Sequence, residues 1–138
     1  MPVVVDTSVI IAVIANEPEK AALVARTQGV ELLAPGSLPW EIGNAFSAML
    51  KRKRVTVEQA SAAVAVYQQI ALTLVDVDLA QAVGLADRLN IYAYDAYVIA
   101  CALNQGCPLL TLDGGLIHAA KTAGVEVLDL ESTHADVS

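Results

Sequence analysis

The sequence predicts an α/β fold in which helices pack on both faces of a parallel sheet. Five short apolar or β-branched runs alternate with helical patterns along the chain, and this alternation is typical of parallel sheets. Hydrophobic residues make up 56% of the 138 residues and aromatic residues only 4%, so the core must be built from aliphatic side chains. No repeat or linker interrupts the pattern. We therefore expect one domain at residues 1–132, followed by a polar tail at 133–138.

The first half of the chain is predicted to contain two strands and four helices. Val3–Val5 is a β-branched run typical of a strand buried on both faces, and Asp6 follows it as a helix-starting residue. Pro39 lies where the first turn of a helix tolerates proline, and Thr56 is a typical N-cap. The predicted elements are a strand at 3–5, helices that begin after residue 6 and at residue 18, a strand at 30–34, and helices at 39–54 and 56–70.

The second half is predicted to contain three strands and three helices. Asp78 is a typical N-cap, and Gly106 ends a helix in the usual way because glycine tolerates the left-handed conformation. The predicted elements are a strand at 72–78, helices at 79–90 and 95–105, a strand at 107–113, a helix at 115–124, and a fifth strand at 125–130.

Charge and composition argue against several classes of protein. The formal net charge of −7 disfavours nucleic-acid and anionic-membrane partners at long range. No apolar run is long enough to cross a bilayer, and the first residues lack the pattern of a signal peptide, so we expect a cytoplasmic protein with no membrane partner. Cys101 and Cys107 are too few to form a disulfide framework.

Four carboxylates follow predicted strands or begin predicted helices, and ligands of parallel α/β sheets bind at that edge. Each acid alone has a structural explanation, because aspartates cap helices and a glutamate in a first turn favours the helix dipole. Together they would repel one another unless protons or cations neutralised them. The four residues are Asp6, Glu41, Asp95 and Asp113.

Oxygen ligands alone favour Mg²⁺ or Mn²⁺ as the neutralising cation. Zinc is disfavoured because His118 and His134 have no cysteine or histidine partner at ligand spacing. Asp76 and Asp78 also end a strand, but they would join the site only if the third strand lay beside the first and fourth.

Four segments resemble the PIN domain family, particularly VapC-type toxin ribonucleases of toxin-antitoxin pairs. "VVVDTSVIIAV", "WEIGNA", "YDAYVIACAL" and "LLTLDGGL" occur in the order and at the separations typical of that family. The resemblance implies a three-layer α/β/α sandwich around a five-stranded parallel sheet of order 3-2-1-4-5, and a Mg²⁺-dependent endoribonuclease. It also implies a homodimer that a small antitoxin protein inhibits.

Position by position, the resemblance assigns roles to eight residues. It implies that Asp6, Glu41, Asp95 and Asp113 are catalytic and hold the metal. It further implies that Thr7, Ser8, Asn44 and Thr111 support those acids or contact substrate. The chain departs from members that carry a further acid after the last aspartate, since residues 114–117 supply none. The number of metal ions therefore stays open.

Lys51, Arg52, Lys53 and Arg54 hold half of all basic residues. The run is either a solvated helix end favoured by the dipole or a track for the RNA backbone near the cleft. Metal-assisted hydrolysis does not use the 2′ hydroxyl, so RNA rather than DNA rests on the resemblance alone.

Rival interpretations are a receiver domain, an aspartyl phosphatase, a PIN fold that only binds RNA or a partner, and an RNA-processing PIN nuclease without an antitoxin. A receiver would need an acidic pair after the first strand and a lysine after the fifth. The phosphatase would need an acid two residues after Asp6, where Ser8 stands.

Overall fold

The computed structural model describes residues 1–130 and contains a four-stranded parallel sheet of order β3-β2-β1-β4. The elements are β1 (Val3–Val5), α1 (Thr7–Ile14), α2 (Lys20–Arg26), β2 (Leu32–Pro35), α3 (Leu38–Lys51), α4 (Val57–Tyr67), β3 (Leu72–Val75), α5 (Leu79–Leu89), α6 (Ala93–Gln105), β4 (Leu109–Leu110) and α7 (Gly114–Thr122).

β1 lies inside the sheet, between β2 and β4, as its continuous apolar run predicts. Val4 pairs with Leu33 on one side and Leu109 on the other, both in parallel register. β3 lies at the sheet edge, beyond β2. Because of that position the carboxyl end of β3 is separated from β1, so Asp76 and Asp78 are not at the exits of the central strands.

The prediction of a fifth strand at 125–130 is wrong. Within the described residues this segment forms only one isolated parallel bridge, between Leu109 and Val127. Two backbone hydrogen bonds of 2.8 Å make that bridge, from Leu109 N to Glu126 O and from Leu128 N to Leu109 O. β4 has only two residues and is shorter than the predicted 107–113, so it offers too short an edge for a longer ladder.

Side chains alternate between two cores, one on each face of the sheet, which gives the three layers that were predicted. Val4 faces α5, α6 and α7, whereas Val3 and Val5 face α1, α3 and α4. Phe46 is the one aromatic side chain among the buried residues of these cores, and Ala, Val, Leu and Ile supply most of the rest. The aliphatic core that the composition predicts is therefore present.

Several predicted helix ends are confirmed. Thr56 accepts from Gln59 N at 3.1 Å and completes a capping box, and Asp78 accepts from Gln81 N at 3.0 Å. Gly106 ends α6 in the left-handed conformation, with φ of 62°. No helix within residues 1–130 is both long and apolar enough to span a membrane.

The polar tail predicted at 133–138 lies outside the described residues.

Candidate active site

Asp6 stands at the carboxyl end of β1 and is buried, with 7% of its surface exposed. As the N-cap of α1 it accepts a 3.3 Å hydrogen bond from Val9 N through Oδ1. The same oxygen accepts from Ser8 Oγ at 2.7 Å, and Oδ2 accepts from Thr111 Oγ1 at 2.7 Å. These contacts fix both carboxylate oxygens in one orientation.

Thr111 and Ser8 connect the exits of β1 and β4. Thr111 is buried just beyond β4, and its hydroxyl also accepts from Asp113 N at 3.1 Å. Ser8 Oγ accepts from Leu112 N at 3.0 Å and lies 3.3 Å from the Thr111 hydroxyl. Two of the polar residues that the sequence singled out therefore hold Asp6 in place.

Asp113 is the N-cap of α7 and is exposed to solvent. Its Oδ1 accepts from Gly115 N at 2.9 Å and Leu116 N at 3.3 Å. No hydrogen bond from the described residues reaches Oδ2. Asp113 can therefore cap α7 through Oδ1 while Oδ2 stays available as a ligand oxygen.

Glu41 lies in the first turn of α3, partly buried, and accepts from Ser37 Oγ at 2.9 Å. Ser37 holds the N-cap position but accepts no backbone hydrogen bond, as the spacing of four predicts. The Thr7 hydroxyl is close enough to lower the pKa of Glu41. Its geometry falls short of a full hydrogen bond, so buried Thr7 Oγ1 is unsatisfied among the described residues.

Asp95 lies in the first turn of α6, and its carboxylate accepts no hydrogen bond from the described residues. The N-cap position belongs to Tyr92, which makes no side-chain cap. Helix capping therefore does not explain Asp95. The result is a partly buried acid with no compensating donor, an arrangement that costs free energy in the ionised form.

The four carboxylates influence one another electrostatically. Burial is the largest cause of the raised pKa of Asp6, Glu41 and Asp95. Asp113 further raises the pKa of both Asp6 and Asp95, whereas Asp6 and Asp95 raise that of Glu41. The fold therefore brings the four predicted acids to one edge of the sheet, where their negative charges oppose one another.

The donor chemistry of this cluster suits a hard divalent cation, because its unengaged atoms are carboxylate oxygens. Asp113 Oδ2 and the Asp95 carboxylate accept no hydrogen bonds from the described residues. However, no three Asp, Glu, His or Cys side chains within residues 1–130 stand close enough together to form a ligand set. A shared ion therefore requires the less buried carboxylates to rotate towards buried Asp6.

Two other predicted contributors lie outside this hydrogen-bonded centre. Asn44 is exposed one helical turn after Glu41, and no hydrogen bond among the described residues joins their side chains. Lys51–Arg54 is exposed at the opposite end of α3. Ten residues separate Glu41 from Lys51, which corresponds to about 15 Å along a helix.

A cleft beside the acids was not predicted from the sequence. Trp40, Tyr94 and Tyr97 form part of its lining. A signal was present in the sequence. Trp40 directly precedes Glu41 and Tyr94 directly precedes Asp95, in a chain with only six aromatic residues.

Fold and site together define a class, namely small three-layer α/β domains with an acidic cluster at the carboxyl ends of parallel strands. Within that class, the chain belongs to the PIN domain family, which it matches over residues 3–122. PIN domains are generally nucleases, and these nucleases generally use divalent metal ions. Family membership argues against the receiver and aspartyl-phosphatase interpretations, and no curated protein matches the chain in sequence.

Three solved structures share the fold at low sequence identity. PAE2754 from Pyrobaculum aerophilum is 19% identical with a TM-score of 0.68, covering 96% of this chain and 93% of its own. VapC20 from Mycobacterium tuberculosis, described as a Sarcin-Ricin loop cleaving toxin, is 17% identical with a TM-score of 0.58, covering 85% of this chain and 94% of its own. A PilT N-terminus domain protein, SSO1118 from Sulfolobus solfataricus P2, is 13% identical with a TM-score of 0.51, covering 99% of this chain and 92% of its own.

Proposed function

We propose that this protein is a divalent-metal-dependent endoribonuclease that acts as the toxin of a toxin-antitoxin pair. The observation that carries the nuclease assignment is the convergence of four carboxylates, three of them with a raised pKa, at the carboxyl edge of the sheet. The carboxylates repel one another, so their proximity costs stability. Acids held together at such a cost are typical of functional sites.

In this proposal Asp6, Glu41, Asp95 and Asp113 hold Mg²⁺ or Mn²⁺. The bound ion supplies a lowered pKa for a coordinated water and neutralises charge on the phosphate. Asp6 is the fixed member, since Ser8 and Thr111 donate to both of its oxygens. Asp95 and Asp113 carry the unengaged oxygens, so they complete the ligand set by side-chain rotation.

The remaining polar residues orient these acids or contact substrate. Hydrogen bonds from Ser8 and Thr111 lower the pKa of Asp6 and so oppose part of the effect of burial, which raises it. Thr7 lowers the pKa of Glu41 in the same way. Asn44 is accessible on the same helix face as Glu41, where we assign it to substrate contact.

RNA, rather than DNA, is the proposed substrate. Two likenesses support it: the sequence motifs of VapC-type toxins, and the fold shared with VapC20, which is described as a Sarcin-Ricin loop cleaving toxin. The same likenesses support a cytoplasmic toxin with a small antitoxin partner. An RNA-processing PIN nuclease without an antitoxin is the alternative, and a neighbouring gene for a small DNA-binding protein would favour the toxin.

Exposed apolar side chains on α3 and α4 support protein partners, either the antitoxin or a second copy in a homodimer. Val57 and Val66 are 60% and 43% exposed. A groove of about 330 Å³ runs beside them, with Phe46 and Val55 in its lining and Arg54 also contributing. Apolar surface of this kind is typical of interaction sites.

A cleavage assay tests the nuclease proposal. Purified protein, freed of any antitoxin, should cut RNA in Mg²⁺ or Mn²⁺, stop in EDTA, and resume when metal is restored. Asp6→Asn, Glu41→Gln, Asp95→Asn and Asp113→Asn should each lower the rate at least about 100-fold with unchanged circular dichroism, because each removes a ligand charge.

Exposed Asp87 on α5 offers a matched control, since Asp87→Asn makes the same chemical change away from the site. It should cleave at the unmodified rate. Undiminished cleavage by Asp95→Asn would contradict the assignment, and RNA binding without cleavage in any divalent metal would favour a PIN fold that only binds.

A further inference from the structure

A cleft of about 490 Å³ lies beside the acidic cluster, a volume in the range typical of ligand sites. Ser37 and Trp40 line it from α3, Asp76 from the segment after β3, and Tyr94 and Tyr97 from the start of α6. All three sources lie at the carboxyl edge of the sheet, where parallel α/β folds bind ligands.

The cleft exposes aromatic rings that the small core does not use. Trp40 is 75% exposed and Tyr94 is 54% exposed, although the whole chain has only six aromatic residues. Tyr94 and Tyr97 contact each other edge to face, with centroids 6.0 Å apart and planes at 75°. This contact restrains both rings and leaves aromatic surface available to a planar ligand.

The cleft borders the acidic cluster but does not include it, since none of the four acids lines the cleft. Ser37 lines the cleft and donates to Glu41 at 2.9 Å. Trp40 and Tyr94 are the chain neighbours of Glu41 and Asp95. A base in the cleft would therefore lie next to the segments that carry Glu41 and Asp95.

Charge indicates which part of a nucleotide the cleft accepts. Asp76 is the one charged residue in its lining, with no Lys or Arg among the described lining residues. A carboxylate repels phosphate but accepts hydrogen bonds from the N–H groups of a base edge. Aromatic rings with a carboxylate acceptor therefore suit a neutral, planar ring that carries donors.

We propose that this cleft is a subsite for one unpaired nucleobase of the RNA, stacked on Trp40 and Tyr94, with Asp76 accepting from its N–H groups. The inference rests on the proposed nuclease function and adds the position at which one base of the substrate is held. Stacking also supplies affinity that does not depend on Lys or Arg, neither of which is among the described lining residues of the cleft.

Trp40 provides a direct probe because it is the one tryptophan in the chain. A short single-stranded RNA, added to the full-length protein in EDTA so that no cleavage occurs, should quench Trp40 fluorescence. An abasic ribose-phosphate chain of equal length should require at least about ten-fold higher concentration, because it has the charges but no ring to stack. Equal quenching by the two chains would overturn the proposal.

Tyr94→Leu and Tyr92→Leu form a matched pair, since Tyr92 is 88% exposed, two residues away, and outside the cleft lining. Tyr94→Leu should weaken RNA binding about ten-fold, and Tyr92→Leu less than two-fold. Equal losses of RNA affinity in the two variants would contradict the subsite. Shielding of Trp40 by a protein partner, with no response to RNA, would assign the cleft to that partner and likewise overturn the proposal.

The outcomes separate the two proposals. Base-dependent quenching in a protein that never cleaves RNA would keep the subsite and reject the nuclease. RNA cleavage by a protein whose Trp40 fluorescence does not depend on the bases would support the nuclease proposal and reject the subsite.

Discussion

Asp95 shows how the site opposes the stability of the fold at the scale of one residue. Its carboxylate is partly buried, accepts no hydrogen bond from the described residues, and has a pKa raised first by burial and then by Asp113 and Asp6. An acid whose folded pKa is raised binds its proton more tightly in the folded protein. Its favourable contribution is therefore present below the ordinary value of 3.8 and is lost as pH rises through the raised folded pKa.

Asp95→Asn should consequently stabilise the protein at about pH 7 while it abolishes cleavage. We expect the free energy of unfolding to rise by about 0.5–2 kcal/mol, as when other unfavourable charges are removed. Urea unfolding should show this gain shrinking as pH falls towards about 4, where the native carboxylate is protonated. A similar rise in the free energy of unfolding in Asp87→Asn, or a rise in Asp95→Asn that does not depend on pH, would contradict this account.

Individual residues were also where the sequence was most informative about the site. The acids could be placed at strand exits because strands and helix starts were recognisable from local patterns. The hydrogen bond from Thr111 to Asp6 joins residues 105 positions apart, and local patterns carry no information about such a pairing. The cleft was missed for the same reason, because three separate segments form it.

At the scale of elements, α3 carries two of the features predicted from the sequence, one at each end. Glu41 lies in its first turn, and Lys51–Arg54 begins at its last residue. The positive run suits the negative end of the helix dipole, so its position has a structural cause whatever it binds. The predicted position near the cleft is wrong, since the run lies about 15 Å along the helix from Glu41; we propose that it contacts RNA backbone remote from the cut.

Neutralising part of that run tests the proposal. Lys51→Gln with Arg52→Gln should weaken RNA binding and reduce the slope of log K against log salt by about 1.4, because two phosphate contacts are lost from a single strand. Arg88→Gln with Lys121→Gln removes the same two residue types elsewhere on the surface. Equal losses of RNA affinity in the two double variants would mean that binding depends only on net charge.

Elements also show where sequence patterns mislead. The run at 125–130 has strand-like alternation, yet only one bridge forms because β4 offers two residues to pair with. Sheet pairing depends on the length of the neighbouring strand, which the run itself does not encode. The predicted strands at 72–78 and 107–113 likewise end early, where the chain turns towards a helix.

At the scale of the whole molecule, the excess of acids opposes binding of RNA unless a metal ion neutralises part of the cluster. The chain has 15 acids and 8 Lys or Arg residues, and four of the acids converge at one edge. A bound divalent ion offsets part of this negative charge and presents a positive centre that attracts phosphate oxygens. Metal binding is therefore the property on which the account depends most.

The most direct test is a calorimetric titration of the purified protein with Mn²⁺ in the absence of RNA. We expect saturable binding that weakens at least about ten-fold in Asp95→Asn and in Asp113→Asn, and that is unchanged in Asp87→Asn. Equal Mn²⁺ affinity in all four proteins, or no binding by any of them, would contradict the claim that the acidic edge of this sheet is a metal site.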